Sequence, residues 1–279
     1  MAVDPGETII FETQDALGGQ IVDENSVASA IDWNAVNPAT GPVYINGAEA
    51  GDVLAVHIHS ITVESQGAVM VAENSGFYGD LISGIHFKIA HIHDGIAEVA
   101  GLRYKQNKMI GVIGVAPAGE GVSTGVPGSH GGNMDNKMIT EGSSLFLPVS
   151  VSGALFGLGD LHAVMADGEV GVTGIEVAGE VSLSFEVIKR FKLNNPLLED
   201  VDNIYFIGSA KTLDAAAKVV LDDAMAIIST KQSLPPQEVA MLLTLCGNLQ
   251  ICQIVDPLVT VRLAVAKEQL KQLDFVLQW

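Results

Sequence analysis

Basic residues are scarce in this chain. Only 14 Lys and Arg stand against 33 Asp and Glu in 279 residues, a formal charge of −19. Such a surplus repels phosphate backbones and anionic lipid heads, so neither nucleic acid nor a membrane surface is expected as a partner. Cysteine is almost absent. Cys246 and Cys252 both lie in an apolar C-terminal segment and do not form a disulfide framework, which fits a reducing compartment. No stretch reaches the roughly 18 uninterrupted apolar residues of a membrane span. The start, MAVDPGETIIFETQDA, has no basic segment leading into an apolar one, so no signal peptide is expected and the location is read as cytoplasmic. There is also no GxGxxG fingerprint, no P-loop and no Gly-x-Ser-x-Gly elbow, so no organic cofactor and no activated serine are expected. Neither cysteine sits in a polar, Gly-rich context that would lower its pKa. If the chain is an enzyme, its nucleophile by default is water, activated by a carboxylate or a metal.

What the chain does have is apolar residues, 48 % of the total, enough for a sizeable core. Residues 1–190 read as β. DVLAVHIHSITV and EVSLSFEVI alternate apolar and polar positions, and GETIIFET is a short apolar run between turn formers. Gly- and Pro-rich turns separate many such segments, the pattern of a sandwich or barrel. The character changes near KLNNPLLED. Leu213, Ala217, Val220, Leu221, Ala224, Ile227 and Ile228 share one helical face behind Thr212, a candidate N-cap. A second helix is expected from Pro235–Pro236 to Gly247, then strands broken by Asp256–Pro257. The expected fold is mainly β, with an N-terminal sandwich- or barrel-like region and a smaller α+β C-terminal unit. The expected divisions are 1–125, 126–190 and 191–279.

Two segments concentrate chemistry. GDLHAVMADGEV places Asp160, His162, Asp167 and Glu169 among small and apolar residues. Asp160 and His162 share a face if they lie on a strand. A turn at Asp167–Gly168 with a returning strand would gather all four side chains at one end of a hairpin, suited to a divalent metal or to acid/base work. VPGSHGGNMDNKMITEG supplies His130, Asn133, Asp135, Lys137 and Glu141 on a Gly-rich turn that lets backbone approach a ligand. A third segment is a decoy. His57-x-His59 with Glu64 matches the first metal motif of the cupins, but Val122 stands where the second motif needs histidine. Leu54, Val56 and Ile58 take the inward face, which turns His57 and His59 toward solvent, and His91-x-His93 reads the same way.

The segments NPATGPVYINGAEAGDVLAV, MIGVIGVAPAGE, PGSHGGNMDNK, LFLPVSVSGALFGLGDLHAVMADGEV and GIEVAGEVSLSFEVI, with FETQDA near the start and QIVDP near the end, together resemble the acetamidase/formamidase family in order and over nearly the whole chain. The resemblance implies a hydrolase that cleaves short aliphatic amides such as formamide and acetamide to a carboxylate and ammonia. It also implies a homo-oligomer, dimer or tetramer. The family's polar positions fall on Asp15, His130, Asn133, Asp135, Asp160, His162, Asp167, Glu169 and Glu176. Within that set we assign Asp15, His130 and His162 as metal ligands, with Asp160 a further candidate, and Zn²⁺ or Ca²⁺ as the metal. Glu169 is the expected general base, with Asp160 and Asp135 as the other catalytic carboxylates. Gly131, Gly132 and Asn133 are expected to bind substrate, the glycines through an oxyanion hole. Two departures bear on this. Ala166 stands where relatives have Gly, which could re-aim Glu169, and relatives carry a longer N-terminal lead. The rival readings are a non-catalytic binder of an amide or metal on the same scaffold, a cupin-like oxidase and a structural oligomer.

Overall fold

The computed structural model describes residues 1–272. Two sheets pack together, as the alternating segments require. One has ten strands, running in the order Ala2–Val3, Ala39–Ile45, Phe156–His162, Glu176–Val177, Gln66–Ala72, Ile85–His93, Ile96–Val99 and Leu102–Lys105. Met109–Gly114 also pairs with Phe156–His162 and carries Gly131–Asn133 on its other side. The second has eight strands and runs from the C-terminal part, Gly247–Gln253, Val259–Ala266 and Asn203–Ala210, through Leu197–Glu199 and Ser144–Pro148 to Val53–Val63, Gly179–Ile188 and Thr8–Thr13. The C-terminal strands thus extend the sheet that the first half of the chain begins.

The main core lies between the sheets. Phe156 of one sheet is held edge-on between Phe11 and Phe185 of the other, with ring centroids 5.5 and 5.0 Å apart. Leu54, Val56 and Ile58 enter this core as their alternation predicts. Val53 and Ala55 are buried as well, because the C-terminal unit covers that end of the sheet's other face. His59 beyond them is exposed, and His57 is half-buried and shares a 2.9 Å hydrogen bond with Ser144 Oγ.

The C-terminal unit is α+β, as expected. Thr212 Oγ1 accepts the Ala215 N–H and opens the helix Leu213–Gln232, and Pro236–Cys246 follows with proline in its first turn. Ala216, Val220, Ala224 and Ile228 form the buried stripe of the long helix. Leu213 and Leu221, placed on that face from the sequence, are 38 % and 40 % exposed. The apolar set was wider than the surface available to bury it. Cys246 and Cys252 are free, and burial pushes the Cys252 thiol up to about 12, so it is inert. Among the described residues no helix is long and apolar enough to cross a membrane.

Candidate functional site

The site forms where Phe156–His162 runs through the interior. Its register against Met109–Gly114, Gly159 with Val112 and Leu161 with Ile110, sets Asp160 across from Gly111. A Cβ on Gly111 would lie 2.4 Å from Asp160 Oδ2 and 2.5 Å from Asp135 Oδ1, so only glycine leaves room for the two carboxylates. Asp135 arrives just after Gly131–Asn133. Two residues past Asp160, His162 pairs with Glu176 of the returning strand. Its Nε2 is 3.2 Å from both Asp160 Oδ1 and Glu176 Oε2, and 3.9 Å from Asp135 Oδ1. A Cβ on Gly174 would come within 2.7 Å of His162 Nδ1, so glycine is needed there too. Glu169 enters from the loop between the strands. Asp135, Asp160 and Glu169 all have left-handed backbone, at φ 41°, 57° and 46°. Such strain in non-glycine residues concentrates at functional sites, where the surrounding packing enforces it.

Asp135, Asp160, His162, Glu169 and Glu176 are all buried. One potential ligand atom each from Asp135, His162 and Glu169 lies within 4.8 Å of the others, and the same holds for Asp160, His162 and Glu176. Asp135 Oδ1, Glu169 Oε2, Glu176 Oε2 and His162 Nδ1 have no hydrogen-bond partner. Asp160, Glu169 and Glu176 border a hollow of about 130 Å³ with Asn133 and Asp256, walled by Leu17, Trp33 and Met70 among others. A wider and mostly apolar recess of about 520 Å³ shares Glu169 and Thr173 with it but holds little of the chemistry.

Four acids around one imidazole cannot all ionise freely. Burial, helped by the charge of Asp160 and opposed by His162, pushes Glu176 up to about 8. Burial and the charge of Asp160 push Asp135 up to about 7, and burial and Asp135 push Glu169 well above the carboxylate range. Burial opposes ionisation of Asp160 also, but the His162 charge and hydrogen bonds from His162 and Glu176 win and hold it below its usual value. Burial works against a charged His162, yet Glu176 and Asp160 raise it well above 6.5. These shifts fix a sign. Asp135, Glu176 and Asp256, the last pushed up to about 9, keep protons when folded that an unfolded chain releases near pH 4. His162 adds stability below its unfolded pKa that is lost as pH climbs through the folded one. The metal-free protein is therefore expected to lose melting temperature steadily from about pH 5 to about pH 9. A melting temperature that rises across that window in chelated protein would contradict the geometry.

Asp160 and His162 share a site as their spacing implies, but the hairpin is looser than expected. The return strand begins at Glu176 rather than at Glu169. Asp167 turns away from the cluster. It takes a two-pronged ion pair from buried Arg262, at 2.9 and 2.8 Å, and one from Lys137 at 3.0 Å. Gly168 exchanges backbone hydrogen bonds with Cys252 and Ile254. The loop that aims Glu169 is thus held by the C-terminal unit. The Glu169 N–H closes a turn on the Ala166 carbonyl, and Ala166 needs no left-handed backbone, so alanine suits the position as well as glycine.

Asp15 lies at an adjoining recess it shares with Glu176. Its Oδ1 caps a turn by accepting N–H groups of Leu17 and Gly19, and burial raises its pKa. His130 does not line the small hollow, and burial lowers its pKa. Gly131 and Gly132 also stand back from the hollow, with the Gly131 N–H bonded to the Gly128 carbonyl. Their strand delivers Asn133 to it. The residue that sequence reasoning missed is Asp256, taken from the sequence only as part of the Asp256–Pro257 break between C-terminal strands. It borders the hollow and accepts a 2.9 Å hydrogen bond from Asn133 Nδ2. Its only signal was an acid before proline inside an apolar run, which a turn explains equally well.

A two-sheet β scaffold whose interior gathers carboxylates about one histidine beside a small hollow defines a class of protein with a buried polar centre scaled to a very small ligand. The acetamidase/formamidase family model matches residues 1–124 and 118–230, and the chain belongs to that family. It is 42 % identical to a predicted acetamidase/formamidase from the thermophile Thermoanaerobacter tengcongensis, whose crystal structure superposes with a TM-score of 0.96 over 98 % of this chain and 91 % of the other. An acetamidase structure from Bacillus halodurans, 41 % identical, gives a TM-score of 0.95 over 98 % and 93 %. A formamidase of Methylophilus methylotrophus is 27 % identical over 71 % of this chain and 64 % of its own length. The chain spans 61 % to 64 % of the length of three curated relatives it matches.

Proposed function

We propose that this chain hydrolyses short unbranched amides, formamide and acetamide above all, to carboxylate and ammonia. The observation that carries the reading is the buried cluster of Asp135, Asp160, His162, Glu169 and Glu176, with three of its acids on a hollow of about 130 Å³, room for a molecule of a few heavy atoms. Family membership supports it, as do relatives named for these activities.

The carbonyl carbon of an amide is a poor electrophile. Attack needs a deprotonated water, a counter-charge for the tetrahedral oxyanion, and a proton for the departing nitrogen. Opposite shifts assign opposite roles to neighbouring acids. Asp160 stays ionised and, with Glu176, holds the His162 ring in place. Burial raises the pKa of Glu169, which makes its ionised form a stronger base, and the carboxyl so formed can return the proton. Glu169 removes the proton of a water as its oxygen bonds the carbonyl carbon. It then delivers that proton to the nitrogen as the C–N bond breaks. Burial of these groups away from bulk water strengthens each of these charge interactions.

The unpartnered oxygens of Asp135, Glu169 and Glu176, together with the His162 imidazole whose Nε2 faces them, fit a divalent cation, with Zn²⁺ suited to the imidazole and Ca²⁺ to the oxygen-rich set. Asp135, His162 and Glu169, or Asp160, His162 and Glu176, would hold it, and it would supply Lewis-acid polarisation and a more acidic water. A homo-oligomer belongs to the same proposal, and exposed Phe77, Tyr78 and Leu81 offer apolar surface for a second copy.

The test is ammonia release from formamide, acetamide, propionamide, benzamide and urea, before and after chelation. Formamide and acetamide are expected to turn over and benzamide not. Chelation is expected to lower the rate and a divalent ion to restore it. Absence of ammonia from every amide, in folded and metal-replete protein, would overturn the proposal.

A further inference from the structure

Asn133 is 4 % exposed, and its carboxamide faces the hollow half-satisfied. Nδ2 donates to Asp256 Oδ2 at 2.9 Å, while Oδ1 has no partner. A buried acceptor without a donor is uncommon and calls for an explanation. The hollow is also lined by Asp160, Glu169, Glu176, Asp256, Thr173, Asn37 and Trp33, and none of them donates a hydrogen bond to Oδ1. Oδ1 is left facing the cavity without a donor. Asp256 makes that lack directional. The Nδ2–Asp256 bond occupies that edge of the carboxamide and leaves Oδ1, not Nδ2, for the cavity. Asp256 is itself aimed by a turn in which Gln253 Oε1 accepts the N–H groups of Val255 and Asp256, at 2.8 and 3.1 Å.

We infer that Asn133 and Asp256 together read the –NH2 group of a primary amide. Asn133 Oδ1 accepts a substrate N–H, and Asp256 is the positioning residue that holds it ready. The inference rests on the reading of this hollow as the site of amide hydrolysis and narrows it to amides that carry an N–H. Ketones, esters, carboxylates and N,N-dialkyl amides fill similar space but bring no N–H, and they leave Oδ1 unpaired.

Acetone, which replaces the –NH2 of acetamide with a methyl group, is the probe. Dissociation constants for both ligands are read by ligand-observed NMR in the first minutes after mixing, alongside ammonia release. Wild type is expected to prefer acetamide by about tenfold or more, the worth of one well-placed hydrogen bond. Asp256→Ala is expected to erase most of that preference and to raise KM for acetamide by a similar factor, with a smaller change in kcat. Asp256→Asn, whose side-chain oxygen can still accept from Nδ2, is expected to restore both, and Asn133→Leu to lose the preference outright. Equal binding of the two ligands by wild type, as when only water answers Oδ1, would overturn the inference while ammonia release stands. So would an unchanged preference in folded Asp256→Ala. Loss of kcat in Asp256→Asn with KM intact would overturn the positioning role and make Asp256 a proton carrier. Preference for acetamide without ammonia release would refute the hydrolase and leave the –NH2 reader standing.

Discussion

Glu169→Gln is expected to lower kcat for acetamide by about 10³-fold, within the range of positioned acid–base groups, and to leave the fold unchanged. The substitution keeps the size and shape of the side chain and removes its capacity to take a proton. Burial and the charge of Asp135 already hold Glu169 well above the usual carboxylate range, so a neutral amide at that position relieves repulsion. The melting temperature should therefore hold or rise as activity falls. Ammonia release and thermal unfolding on one preparation separate the two effects. Activity near wild type in Glu169→Gln would remove Glu169 from the mechanism. A collapse of stability would show that Glu169 supports the loop rather than the chemistry.

Gly111→Ala is expected to abolish activity and destabilise the protein by about 1–3 kcal/mol, the usual cost of overpacking. Position 111 touches no substrate. The added methyl would meet Asp160 Oδ2 and Asp135 Oδ1 at 2.4 and 2.5 Å, and neither side chain can swing out, because both are enclosed. Asp160 would give up its bond to His162, and any cation held by these acids would be lost with it. Denaturant unfolding gives the stability change, and elemental analysis gives the metal content. A Gly111→Ala protein with wild-type turnover would show that the two carboxylates do not need their close approach.

Much of this architecture was legible in the sequence because period-2 and helical patterns are local. The alternation of DVLAVHIHSITV places Leu54, Val56 and Ile58 in the core and turns His57 and His59 away from it, which argues against a cupin-like metal site on this strand. The N-cap at Thr212 and the proline that starts the second helix were equally local. Asp160 and His162 were legible as a pair because a strand puts alternate residues on one face. What the sequence hid is long-range. Asp256 joins Asn133 across 123 positions, and Arg262 joins Asp167 across 95. The loop role of Asp167 depends on a cation from the far end of the chain, and nothing near position 167 shows it. Nothing in the residues around Gly111 and Gly174 sets them apart from other glycines of the chain. Only the folded chain shows that each stands opposite a site side chain.

The small hollow, rather than the wider apolar recess beside it, is expected to receive the amide. A crystal structure of the Glu169→Gln protein soaked with acetamide tests this most directly. The predicted result is planar density of four heavy atoms bounded by Asn133, Asp160, Glu176 and position 169. Acetamide seated only in the recess lined by Val69, Leu102 and Tyr104, or a small hollow holding only water at saturating ligand, would contradict it.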